Sequence, residues 1–177
     1  MAKIIIFDLE ATCWKSGNKD KMQAIEFGAV QLDPFTLKIV SEFQRFVRPT
    51  LEPVLSEFCK ELTGIKQDDV NVAEPFLVVF REFCDWIGEG GFEIYSWGEY
   101  DLEQLKQDCK IAGIKMNKRI VKRHQNLKAI YAERFRIRRC GMAQALDKLH
   151  IPLTGSHHRA IDDARNIAKI AGWMLKN

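Results

Sequence analysis

The run IIIFDLEATCW, residues 4–14, constrains this chain more than any other stretch. Four successive apolar residues, then Leu9 and Ala11, read as a buried strand. Two carboxylates nevertheless stand inside the run. Residues two apart in a strand point the same way, so Ile4, Ile6, Asp8 and Glu10 share one face, and Ile5, Phe7, Leu9 and Ala11 the other. The acids then lie roughly 6.5 Å apart along the strand. Side by side they repel, and desolvating either one unpaired is costly. A divalent cation offsets both costs, and hard carboxylate oxygens suit Mg²⁺ or Mn²⁺. An edge strand with solvated acids is the competing arrangement, and the apolar residues ahead of Asp8 speak against it.

Around this run the pattern predicts an α/β chain. Residues 3–11, 24–33 and 38–48 alternate as strands, with the turn DPFT between the last two, which suggests an antiparallel meander. A short helix is expected over 56–64, with Ser56 as N-cap and Gly64 as its stop. A longer apolar helix covers 74–90, and a strand covers 92–97. The next helix is read as capped by Asp101 and closed by Gly113. A short strand follows around 120–127, then helices at 127–135 and 142–149, and a final helix from about 158 to 175. Strands first and strand–helix alternation afterwards imply a sheet with helices packed against it. The length of 177 residues suits one domain over 1–177.

Composition narrows the class. Hydrophobic residues at 46% and charged residues at 29% describe a folded chain, not a disordered one. No apolar run approaches the roughly 20 residues that cross a bilayer. The start MAKIIIFDLEA has one lysine and then acids, unlike a signal or transit peptide, so a cytoplasmic location is expected. The five cysteines at 13, 59, 84, 109 and 140 form no CxxC pair and read as reduced thiols.

Two later segments carry chemistry. In YSWGEYDLEQL, Asp101 stands at a strand-to-helix junction, where open α/β sheets place their sites; an N-cap role alone would also explain it. In GSHHRAIDDARNIAKIAG, helical phase puts Asp162 with Arg165, Asn166 and Lys169 on a solvated side, and Asp163 with Ala160, Ile167 and Ile170 toward the sheet. Asp163 is therefore the inward acid. Both His157 and His158 lie near it; His158 has H-x4-D spacing to Asp163 and is the better partner, with His157 as fallback. Four acids could hold two metal ions, and a histidine titrating near neutrality could accept a proton from an attacking water. Phosphodiester hydrolysis needs that set.

With FDLEAT, SWGEYDL and HRAIDDARNIA in this order, the chain resembles the DEDDh 3′–5′ exonucleases of the DnaQ-like, ribonuclease-H-fold superfamily, over about residues 3 to 175. LSEFCKELTGI (55–65) and NLKAIY (126–131) are similar to the branch that trims histone-mRNA ends and small RNAs, which includes a bacterial sporulation-inhibitor-like subgroup. The resemblance implies a ribonuclease-H-like α/β fold with a mixed five-stranded sheet flanked by helices. It implies two Mg²⁺ or Mn²⁺ ions and release of nucleoside 5′-monophosphates from 3′ ends of single-stranded RNA or DNA. Carried over by motif, Asp8, Glu10, Asp101 and Asp163 are metal ligands, with Asp8 bridging, and His158 is the general base. Phe58 and Tyr100 match aromatics that clasp the terminal base, and Thr12 would meet the terminal nucleotide through its backbone. Relatives often have Ser-Gly after the histidine; Arg159 and Ala160 stand there in this chain, and Arg159 invites a role on a phosphate or on the histidine's pKa.

Charge agrees with a polyanion partner. Ten Lys or Arg against one acid between Lys115 and Arg139 give that segment +9, although the whole chain carries only +3. A solvated basic surface is the bland alternative; a guide for a single strand is the functional one. A non-catalytic nucleic-acid-binding or regulatory module on the same fold, and a ribonuclease-H-like endonuclease, are the rival classes.

Overall fold

The computed structural model describes residues 2–17 and 19–176. Five strands form one sheet: β1 (Lys3–Ala11), β2 (Ala24–Leu32), β3 (Ile39–Phe46), β4 (Phe92–Ser96) and β5 (His124–Asn126). Their order is β3-β2-β1-β4-β5, with β2 and β3 antiparallel to their neighbours and β1, β4 and β5 mutually parallel. The meander and the mixed five-stranded sheet are as expected. β1 is the central strand, so the edge-strand alternative for Asp8 and Glu10 is excluded.

The two faces of β1 separate as the alternation requires. Ile5, Phe7 and Leu9 pack into one apolar cluster with α3 (Phe76–Ile87) and α4 (Tyr100–Ile111). Ile4 and Ile6 pack into a second cluster with α6 (Leu127–Phe135), α7 (Met142–Lys148) and α8 (Ala160–Lys176). Burial of these aliphatic and aromatic side chains, at about 1.5–3 kcal/mol each, fixes the sheet between its two helical layers. Two shorter helices, α1 (Glu57–Thr63) and α2 (Gln67–Asn71), cover Ile25 beyond the sheet with Leu55, Cys59, Ile65 and Val70. Ser56 caps α1 by accepting the Cys59 N–H, and Gly64 ends it at φ +69°; both roles were legible in sequence.

Three expectations need correction. The segment 120–127 is not one strand: α5 (Lys118–Arg123) occupies most of it, capped by Asn117, and β5 is only three residues long. Arg119 and Arg123 explain this, because both donate to carbonyls of the 88–92 turn and lie over the Phe92 ring. Asp101 is not the cap of α4. That place is taken by Glu99, and Asp101 lies inside the first turn, 4% exposed. Asn166 is not on a solvated face: it is fully buried and holds the Thr154 backbone through both its oxygen and its nitrogen. No helix among the described residues is long and apolar enough to cross a membrane.

Candidate active site

The site forms where β1 ends. Asp8 and Glu10 project from the face covered by α8, whose N-terminus brings Asp163. One oxygen from each of these three carboxylates lies within 4.8 Å of the others. Asp101 arrives from the opposite layer at the β4–α4 junction, and its Oδ1 accepts the N–H of Leu9, the residue between the two β1 acids. Gly28 makes the close approach of α8 possible. It pairs with Asp8 in the sheet, and a Cβ there would lie 2.1 Å from the Ala160 carbonyl carbon and the Ile161 nitrogen.

These acids are held as a strained set. Burial pushes Asp8 well above the ordinary carboxylate value, and the charges of Asp101, Glu10 and Asp163 push it further. Burial and then Asp163 raise Glu10 to about 8. Asp101 is raised to about 6 by burial, offset partly by its hydrogen bonds and by Lys128. Asp163 is raised by burial, offset by His157 and His158. A cluster that resists ionising in the absence of a counter-charge is suited to hard divalent cations, which supply that charge. The residues present therefore fit the metal ions that the motifs imply.

The two histidines are placed differently from one another. His157 Nδ1 lies 3.1 Å from both Asp163 oxygens. His158 meets Asp163 through its backbone N–H, 3.1 Å from Oδ2, and its ring stacks on His157 at 4.0 Å. The His158 backbone is left-handed, at φ +66°. Desolvation and the neighbouring His157 lower the His158 pKa, against the pull of Asp163. The side-chain contact to Asp163 thus falls to the residue that spacing alone ranks second.

The residues assigned to the nucleotide flank this cluster. Tyr100 is 49% exposed beside Asp101, and Phe58 on α1 is half-buried and outside the apolar clusters. α1 is tied to the end of β1 through Ser56 Oγ donating to Cys13 O at 2.6 Å. Thr12 is buried; its N–H is donated to Gln23 O and its Oγ1 accepts the Gln23 N–H. Its hydroxyl proton and carbonyl are what it has left for a ligand. The basic segment is partly committed to structure, since Arg134 donates to Met174 O as Arg119 and Arg123 do to the 88–92 turn.

Sequence reasoning missed Glu26. It stands opposite Glu10 in the β1–β2 register, fully buried, and accepts from Arg159, Ala160 and Gln44. Only the pairing of β2 with β1 reveals it; an acid at position 26 of an alternating strand carries no local signal. Lys128 also belongs here, because it lies beside Gly98 and acts on Asp101.

Comparison with known proteins agrees with this geometry. The RNase T exonuclease family model matches residues 5–171. Human ERI1 exoribonuclease 2 is 33% identical over 98% of this chain and 28% of its own length. Human 3′-5′ exoribonuclease 1 is 34% identical over 98% of this chain and 52% of its own length. The chain spans about a quarter to a half of these curated relatives. Among solved structures, the nuclease domain of 3′hExo, a DEDDh family member bound to rAMP, superposes with a TM-score of 0.93 at 33% identity, covering 98% of this chain and 92% of that one.

Proposed function

The chain belongs to the RNase T exonuclease family and to its DEDDh members, and on that premise we propose that it is a metal-dependent 3′–5′ exonuclease. It releases nucleoside 5′-monophosphates from single-stranded RNA or DNA. The observation that carries this reading is the convergence of Asp8, Glu10 and Asp163 from two separate elements, with Asp101 closing the group. Relatives named exoribonucleases make RNA the first substrate to try.

In this reading Asp8, Glu10, Asp101 and Asp163 would hold two Mg²⁺ or Mn²⁺ ions. When bound, such ions stabilise the attacking and leaving oxygens of an in-line displacement. His158 accepts the proton of the attacking water; desolvation and His157 lower its pKa, which favours the neutral form of the ring that can take a proton. His157 Nδ1 lies against the same Asp163 oxygens through which that carboxylate would hold an ion. Phe58 and Tyr100 stack on the terminal base, which is tolerant of base identity, while Thr12 meets the terminal nucleotide through its backbone carbonyl.

The test uses 5′-labelled single-stranded RNA and DNA with Mg²⁺, Mn²⁺ or EDTA. A ladder that shortens from the 3′ end, abolished by EDTA and by Asp8→Ala, is the expected result. Internal cuts would replace this reading with an endonuclease, and metal-dependent binding without cleavage with a binding module. His158→Ala is expected to lower kcat by about 10²–10⁴-fold, the usual worth of a general base, with His157→Ala within about tenfold of the wild type. The reverse order would transfer the base role to His157.

A further inference from the structure

Arg159 stands directly after His158 and ahead of the α8 turn that bears Asp163. Its guanidinium is engaged by a carboxylate. Nε donates to Glu26 Oε2 at 3.0 Å and Nη2 to Oε1 at 3.1 Å, a bidentate pair on a carboxylate with no exposure. The same carboxylate accepts the Ala160 N–H at 3.1 Å and Gln44 Nε2 at 2.7 Å. The guanidinium lies 5.4 Å from the centre of the Phe46 ring, so β2, through Glu26, and β3, through Phe46, both hold it. From its backbone, Arg159 O accepts the Asp163 N–H. The residue before it, His158, is in the left-handed region, which is strained for a non-glycine residue and persists only when its surroundings over-determine it.

We propose that Arg159 is a positioning residue: its fork on Glu26 clamps the left-handed turn at His158 to β2, and so sets where His158 and Asp163 stand relative to Asp8 and Glu10. The role rests on the exonuclease reading above. A planar fork fits a carboxylate as a lysine cannot, and Glu26, opposite Glu10, gives the clamp an anchor inside the sheet. Misplacement of reacting groups by about 1 Å costs on the order of 100-fold in rate.

The experiment measures kcat and KM on a labelled oligonucleotide, together with amide hydrogen exchange at His158 and Ala160, for Arg159→Ala, Arg159→Lys and the double variant Arg159→Ala/Glu26→Gln. The double variant removes the orphaned buried charge that could unfold Arg159→Ala alone. Expected are a kcat about 100-fold lower with KM within about twofold in both alanine variants, partial recovery with lysine, and faster exchange at both amides. A raised KM with unchanged kcat would make Arg159 a substrate ligand and overturn the clamp, as would wild-type kcat in the double variant or unchanged exchange. An inactive wild type would remove the exonuclease reading, while the exchange comparison would still decide the clamp.

Discussion

Asp101 shows how one residue can satisfy two descriptions in sequence and only one in space. An aspartate at a strand-to-helix junction is a good N-cap, and nothing local separates a cap from a ligand. In the fold Glu99 takes the cap position, and Asp101 turns inward to accept the Leu9 N–H between the two β1 acids. Asp101→Asn keeps an acceptor for Leu9 and removes the charge. We expect it to fold, with a melting temperature in EDTA at pH 8 no lower than the wild type, since a buried carboxylate repelled by Asp8 is lost. Its kcat should fall by at least the 10–100-fold that even outer-sphere changes around a metal cost; steady-state kinetics alongside thermal melts check both halves. Asp163 was legible because helical phase separates it from Asp162. Asn166 was not: the same phase places it on a polar side, and only the loop at 153–154 folding back over α8 buries it. The choice between His157 and His158 is likewise not a matter of spacing, because a left-handed backbone at His158 turns successive rings in directions that helical phase does not predict.

At the scale of elements, the carriers of the motifs were readable because their signals are local. Alternation gave β1, β2, β3 and β4; Ser56 and Gly64 bounded α1. What sequence did not resolve was the path from α4 to β5, where basic residues that look like a solvated surface are spent on carbonyls of the 88–92 turn. The contact between α8 and β2 is another feature that pattern cannot supply. Gly28 sits in an alternating strand where alanine would look harmless, yet a Cβ there meets the Ala160 carbonyl oxygen at 2.3 Å and backbone atoms at 2.1 Å. Backbone cannot swing aside as a side chain can. Gly28→Ala should therefore push the N-terminus of α8 off the sheet, destabilise the fold by about 1–3 kcal/mol or more, as overpacking does, and displace Asp163 from Asp8 and Glu10. Denaturant melts and the kcat of the folded fraction would report both effects; a variant with wild-type stability and rate would mean that α8 is not seated on β2 as the structure has it.

For the whole molecule, the central carboxylates tie stability to pH and to metal. Groups whose folded pKa is raised hold protons more tightly folded than unfolded, so their contribution is complete below the unfolded value, about 4, and is lost as pH rises through the folded value. Asp101 completes this loss near pH 6, and Glu10 near pH 8, with Asp8 raised in the same direction. Asp33 and Glu42, held low by their hydrogen bonds, act with the opposite sign, but only below about pH 4.5. His124 and His158, also held low, act below about pH 6.5. From pH 6.5 to 8.5 the opposing group is Cys59, lowered to about 7 by the Cys13 thiol; it is common to the wild type and Glu10→Gln. In EDTA, the melting temperature of the wild type should therefore fall more steeply over this window than that of Glu10→Gln. Added Mg²⁺ or Mn²⁺ binds the folded, ionised cluster and stabilises it by mass action. Its increment should grow with pH, because protons compete for the same oxygens, and should shrink sharply in Glu10→Gln. A wild-type melt in EDTA that runs parallel to Glu10→Gln, or a metal increment that is flat from pH 6.5 to 8.5, would show that these four acids do not form one metal-dependent unit. The acids that make the end of β1 a costly place to fold are then the same ones that make it a place to bind metal, so the stability lost in EDTA is a measure of the charge that the site holds ready.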